Sequence, residues 1–217
     1  MYKNFLIISF FISIQFFAWG EPKTQLVPMD ETSEDPSFAS FKIKLMKAIQ
    51  TEDSSFIKKI LSDDVIYSLG ADPERKNAIE GFMNFYKINS KKETNFWKEL
   101  NRAINLGCTR FEKTFTCPYI YSKWPDKYDS FSYVAVTEKN AAIRSKPFET
   151  APEIISVNYE ILKLAPEQKE KDWYAIDLGM KKMGYLNKAD GRSSIDFRVE
   201  FQKISTEWTL KYFVEGD

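Results

Sequence analysis

The sequence predicts an α+β protein: a helical N-terminal body, a small β-barrel, and a C-terminal β-hairpin that packs back on the body. Three observations predict it. Apolar residues recur at helical spacing between Phe38 and Leu106. From Cys108 the period shifts toward that of strands, with turn residues between short apolar runs. At the end, Phe197, Val199 and Phe201 alternate with Arg198 and Glu200, and Trp208, Leu210 and Tyr212 alternate with Thr209 and Lys211, the pattern of a hairpin with one buried face.

The chain opens with a leader. Lys3 precedes an apolar run from Phe5 to Trp19, and Ala18-Trp19-Gly20 offers small residues at the -3 and -1 positions of a processing site. This is the pattern of a secretory signal peptide, residues 1–20, with Glu21 as the mature start. The competing reading is an uncleaved anchor. A span needs roughly 20 apolar residues, and Ser9, Ser13 and Gln15 interrupt this shorter run. No cysteine follows the site, which disfavours a lipoprotein, and no later segment is apolar enough to span a bilayer. The expected location is periplasmic or secreted, without stable membrane insertion. Glu21 to Ser37, rich in Pro, Thr and acids, reads as a solvated linker.

Each later element has its own signal. Phe41, Leu45, Ala48 and Ile49 make Phe38 to Gln50 an amphipathic helix. Asp53 suits an N-cap, with Phe56, Ile57, Ile60 and Leu61 behind it. Val65 to Leu69 is β-like, Ala71 to Asn77 a charged turn, and Ala78 to Ile88 a helix with Phe82 and Phe85 inward. Thr94 to Leu106 is a helix with Trp97, Leu100 and Ile104 on one side, ended by Gly107. Phe111, Phe115, Tyr119 and Tyr121 read as strand. Six short strands follow: Tyr133 to Val136, Ala141 to Arg144, Glu153 to Val157, Glu160 to Leu164, Trp173 to Asp177 and Met183 to Leu186. The expected units are a body over 38–130, a barrel over 131–190 and a hairpin over 191–217.

Composition narrows the function. The full chain has 31 basic and 31 acidic residues, and such balance argues against a nucleic-acid binder. It has no histidine, which removes the usual general base near neutral pH, Ser-His and Cys-His nucleophile pairs, and His-ligated metal centres. No cofactor or metal is expected, and no catalytic site stands out. After export, the two cysteines, Cys108 and Cys117, read as a disulfide, with two buried thiols as the alternative.

Ala142-Ile143-Arg144-Ser145-Lys146-Pro147, Trp173-Tyr174-Ala175-Ile176 and Met183-Gly184-Tyr185-Leu186 together resemble the bacterial SH3 (SH3b) pattern. That pattern opens with Asn-Val-Arg and a nearby Pro, continues with a Trp-bearing strand and closes with Gly-Trp/Tyr-Val. Ala142 replaces the opening Asn, and Asn158 stands where a turn glycine is usual. The whole layout is also similar to a set of exported bacterial proteins that share a helical N-terminal part, a Cys-Pro-Tyr segment, this barrel and an ending like Trp208 through Phe213-Val214-Glu215-Gly216-Asp217. The SH3b resemblance implies a non-enzymatic module that binds a cell-envelope protein or a peptidoglycan peptide.

The ring-bearing residues that could form that surface are Trp173, Tyr174 and Tyr185. Strand alternation makes Trp173 the core-facing residue and Tyr174 the surface one. Arg144 fits a bidentate grip on a carboxylate, or an internal pair with an acid such as Asp177. Tyr119, Tyr121, Trp124 and Tyr128 form an aromatic loop that serves either as a binding lip or as a cap between the two parts. A second reading makes the N-terminal helices and the terminal hairpin a cone like the NTF2-like fold, with a small-ligand or acid/base pocket around Asp64, Tyr67 or Tyr86. A third makes the barrel a self-association module. Asp63-Asp64 read as helix-end charge.

Overall fold

The computed structural model describes residues 24–70, 77–90 and 94–217. The expected signal peptide, 1–20, lies outside them, as do residues 71–76 of the charged turn.

The N-terminal helices begin where the sequence supplies caps. Asp35 accepts from the amide of Ser37 at 2.8 Å and from that of Phe38, with Pro36 at the first helical position, and starts α1 (Pro36–Thr51). Asp53 accepts from Phe56 at 3.0 Å and starts α2 (Ser54–Ile60). Then come β1 (Leu61–Ile66), α3 (Ala78–Phe85) and α4 (Phe96–Asn105). Gly107 follows at φ +91°, where a Cβ would collide with the Met29 carbonyl, so both conformation and space demand glycine.

The helices pack on one face of a five-stranded sheet. Its other strands are β2 (Thr109–Phe111), β3 (Thr114–Cys117), β11 (Arg198–Ile204) and β12 (Glu207–Val214), in the order β1-β12-β11-β3-β2. Only β1 joins in parallel. The space between sheet and helices is filled by rings. Phe38 stacks on Phe115 with centroids 3.8 Å apart and meets Trp208 edge-on, while Phe82, Phe96 and Phe213 close the far end. Cys108 and Cys117 are bonded and fully buried, tying the chain after α4 to β3.

Between β3 and β11 lies the strand-rich unit: β4 (Tyr133–Val136), β5 (Ala141–Arg144), β6 (Glu153–Val157), β7 (Ile161–Lys163), β8 (Trp173–Asp177), β9 (Met183–Asn187) and β10 (Gly191–Arg192). The expected strands fall within a residue or so of these. They do not close into a barrel. They form two open sheets, β10-β4-β7 and β6-β5-β9-β8, joined by one isolated bridge between Leu164 and Ile176. The ladder stops there because β8 meets a loop at that edge: Ala165 donates to the Ala175 carbonyl, and the Gln168 side chain satisfies both the N–H and the carbonyl of Ala175. The two sheets share a core of small aliphatics, including Val134, Ile143, Val157, Ile176 and Leu186. A third cluster, Leu26, Tyr119, Ile120, Ala135 and Ile161, joins this unit to the segments around β3.

Several expectations are corrected. Thr24 to Ser37 is not a solvated linker. Leu26 is buried and donates to the Tyr159 carbonyl, Glu31 donates to the Cys108 carbonyl, and Gln25 bridges Glu160. Residues 191 and 192 pair with β4, so the terminal hairpin starts at Arg198. Tyr119 to Ser122 form a short helix, α5 (Tyr119–Ser122), instead of continuing β3. Pro118, which follows a cis peptide bond, has no N–H to give a ladder. Phe85, at the last residue of α3, is 58% exposed. Asp63 and Asp64 sit on β1, not at a helix end, and Asp64 pairs with Lys211. A bulge in the β11–β12 ladder pairs Phe201 with Leu210 but Glu200 with Tyr212. It turns Tyr212 off the core face and Phe213 onto it.

Candidate functional site

Charged side chains from several segments converge where α4 meets the strand-rich unit. The inner side of α4 buries Phe96, Trp97, Leu100, Ala103 and Ile104, which leaves Glu99 and Arg102 on the side facing that unit. Arg102 Nη2 donates to the carbonyls of Lys188 and, at 2.6 Å, Gly191. Two carbonyls on one guanidinium fix the junction. Gly191 suits the close packing, because a Cβ would come within 2.8 Å of Leu186 and 3.2 Å of the Tyr174 ring, and those side chains would have to shift.

Below Arg102 lies Arg192, with no solvent exposure. Its Nη2 donates to the Phe197 carbonyl, Nη1 is 3.7 Å from Glu99 Oε2, and Nε is 3.7 Å from Asp196 Oδ2. The last two are ion pairs without hydrogen bonds. Burial pulls the Arg192 pKa down while the two carboxylates hold it up. Asp196 also accepts from the Ser193 amide at 3.2 Å. The C-terminal tail crosses beside them, tied by Gly216 N–H to the Ile195 carbonyl at 2.8 Å and by Arg198 to the Gly216 carbonyl at 2.7 Å. Burial raises the Glu215 pKa, and Asp196 and Glu99 push it the same way.

These walls enclose a cleft of about 560 Å³, within the range of small-ligand sites. Its apolar lining is Leu164, Tyr174 and Phe197, with Phe131 at the rim, 64% exposed. A neighbouring cavity of about 630 Å³ shares Arg102 and Lys188 and continues along α4 past Asn101 and Asn105. Carboxylates thus stand at one end of a groove and cations at its middle. The arrangement suits a ligand that carries an ammonium group and a hydrogen-bond acceptor on a short apolar body. No cluster of metal-ligating side chains occurs among the described residues, and no described helix is long and apolar enough to cross a membrane.

The residues singled out in the sequence do not gather at one place. Tyr174 does line this cleft, but from the parity opposite to the expected one. It packs against the core with Ile176, beneath Lys188 Nζ at 5.3 Å from its ring, and burial raises its pKa well above the usual phenol value. Trp173 is buried, as expected, but on the opposite face of the strand, where it pairs across to Asn187. Tyr185 lines a separate groove of about 470 Å³ with Pro166, Ala175 and Met183. Arg144 does not pair with Asp177: it donates to the Ala151 carbonyl at 3.0 Å, and Asp177 pairs with Lys163. Tyr121 lies under Arg198, 4.5 Å from its ring centre, and Trp124 donates to the Tyr128 carbonyl at 2.8 Å. Trp124 and Tyr128 are partly buried against the Leu26–Tyr119–Ile161 cluster.

Two of the residues named for the acid/base pocket of the second reading are engaged elsewhere. Asp64 is on the surface, and the Tyr86 hydroxyl is buried 2.6 Å from the Phe213 carbonyl. Sequence reasoning passed over Glu99, Arg102, Arg192, Asp196 and Glu215. The polar stripe of α4 carried a signal for the first two. Nothing local marks Arg192, whose burial arises only when three segments meet. Comparison with protein-family models, curated proteins and solved structures finds no match to this chain.

Proposed function

We propose that this is an exported, non-enzymatic binding protein of the bacterial envelope, which takes a peptide end or a peptide-bearing cell-wall fragment in the cleft between α4 and the strand-rich unit. One observation carries the reading: five charged side chains from four segments converge over an aromatic floor at the junction of two cores. Such junctions are favoured ligand sites. The leader residues and the buried disulfide support export. The strand-rich unit is proposed to be an SH3-like module in an opened form. Its strand positions, the Arg144, Trp173 and Tyr185 landmarks and the single Leu164–Ile176 bridge between its sheets support that relation. Tyr185, in its own groove, is a second contact for a longer ligand.

The test is titration calorimetry of the mature protein with soluble peptides released from peptidoglycan, beside a pull-down on the intact polymer. Tyr174→Ala and Glu215→Gln are expected to weaken binding, with Tyr185→Ala weaker in effect. If the wild-type protein binds neither preparation, the reading is wrong.

A further inference from the structure

The cleft and the groove beside it divide their charges. Glu99, Asp196 and Glu215 line the cleft alone, whereas Arg102 and Lys188 line both cavities and so stand at the boundary between them. The groove adds Lys98, against Glu138 and Asp172. Carboxylates are therefore in excess on the cleft side, three to two, and cations on the groove side, three to two. Some of these charges are already spent. Arg192, buried beneath, sits between Glu99 and Asp196. Arg102 gives its Nη2 to the Lys188 and Gly191 carbonyls. Two groups of opposite sign are left without an ion pair among the described residues. Glu215 is exposed, and the charges that act on it are the like charges of Asp196 and Glu99. Lys188 pairs with no described carboxylate and lies over the Tyr174 ring, a wall of the same cleft.

Beyond Lys188 the groove runs along α4. Asn101 and Asn105 stand about one turn apart there, and Asn105 Nδ2 donates to Asn101 Oδ1 at 3.0 Å. That bond leaves the Asn101 amide N–H groups and the Asn105 carbonyl without a partner among the described residues. One donor and one acceptor side by side on a helix face are the complement of a peptide unit.

The order of the charges selects the ligand. A simple amine would leave Lys188 unanswered, and a simple carboxylate would leave Glu215 so. A carbon that bears an ammonium and a carboxylate together answers both. Resting on the cleft as the binding site proposed above, the geometry points to a zwitterionic α-amino-acid end as the group bound, with its ammonium against Glu215, its carboxylate against Lys188 at the boundary, and the peptide that carries it along the Asn101–Asn105 face of the groove. An ordinary peptide terminus supplies only one of the two charges. The ligand is therefore a peptide that holds a diamino acid by one end and leaves that residue's other α-amino-acid end free.

The test is calorimetry of the mature protein with the tripeptide of L-alanine, γ-linked D-glutamate and meso-diaminopimelate, whose side chain ends in such a zwitterion. Two blocked forms accompany it, one with the side-chain amine acetylated and one with the side-chain carboxyl amidated. The free tripeptide should bind, and each blocked form should bind at least about tenfold more weakly, the scale of one hydrogen bond to a charged group. Glu215→Gln should no longer distinguish the free from the acetylated peptide, and Lys188→Gln no longer the free from the amidated one, with circular dichroism showing both variants folded. Free meso-diaminopimelate carries the zwitterion without the peptide and should bind more weakly than the tripeptide. Equal affinity there would overturn the peptide as the source in favour of a free amino acid. Equal affinity for the free and both blocked tripeptides, or wild-type preferences in both folded variants, would overturn the inference while leaving the cleft a peptide site. If no peptide released from peptidoglycan binds, the cleft reading falls and this inference with it.

Discussion

The body and the strand-rich unit are built by opposite means. The body fills its interior with rings: Phe38, Phe82, Phe96, Phe115, Phe201 and Phe213 are all essentially inaccessible to solvent. The strand-rich unit is held by small aliphatics between two open sheets and exposes larger apolar groups, such as Ile154, Ile155, Phe148 and Met180. Large rings bury much area per residue and make a core that stands by itself. A core of valine, alanine and isoleucine in so short a segment is marginal alone. The comparison teaches that the body supplies the rigidity. The strand unit leans on it through the Leu26–Tyr119–Ile161 cluster and through Arg102.

The sharpest way to break this picture is in the body. Phe38→Ala removes a ring stacked on Phe115 and packed against Trp208, and should cost about 3–5 kcal/mol. Both units should melt together in that variant, as read by circular dichroism. Survival of the strand unit after the body melts would show that it stands alone. Leu186→Ala in the small core should cost about 2–4 kcal/mol locally. Hydrogen exchange should then rise over β4 to β9 while the body amides stay protected. A uniform rise would mean one cooperative core.

Replacing both Cys108 and Cys117 by Ala should lower stability by about 2–3 kcal/mol, the chain-entropy value for so short a loop. Reductant should then have no further effect on the melting temperature. Asp30 tests the segment before α1. Burial works against its charge, but hydrogen bonds from Lys42, Thr32 and the Cys108 amide outweigh it and leave the pKa lowered. Its contribution is therefore present above the ordinary aspartate pKa and fades as pH falls through the lower folded value. Asp30→Asn should cost at most about 1 kcal/mol at neutral pH, since solvent screens this half-exposed carboxylate, and the difference from wild type should shrink on acidification. A difference that stays constant in acid would remove the electrostatic account.

One carboxylate of the cleft, Glu215, runs the other way. Glu215 has a raised pKa, so its folded form binds a proton more tightly than the unfolded chain. Its effect is a loss of stability as pH rises from the ordinary glutamate value through the folded one. Glu215→Gln should flatten that part of the stability profile, read by thermal melts across acid to neutral pH. An unchanged slope would mean that neither burial nor the neighbouring Asp196 and Glu99 raises its pKa.

What the sequence by itself determined is local. Asp35 and Asp53 cap their helices because a short carboxylate reaches free amides. The six middle strands form close to where alternation and turn residues place them. The buried stripe of α4 follows from its 3.6-residue period. The tertiary structure decided everything that depends on which face meets which partner. A single bulge in the β11–β12 ladder reversed Tyr212 and Phe213, and the contact of two sheets made Tyr174 an inward residue. The absence of a partner strand for the β8 edge left the sheets open. The charged cleft belongs to the same class: Glu99, the Arg192–Asp196 turn and Glu215 come from separate stretches of the chain and share a field only because α4, β10 and the tail are folded against one another. Alternation assigns two faces to a strand, but only packing says which face is inside.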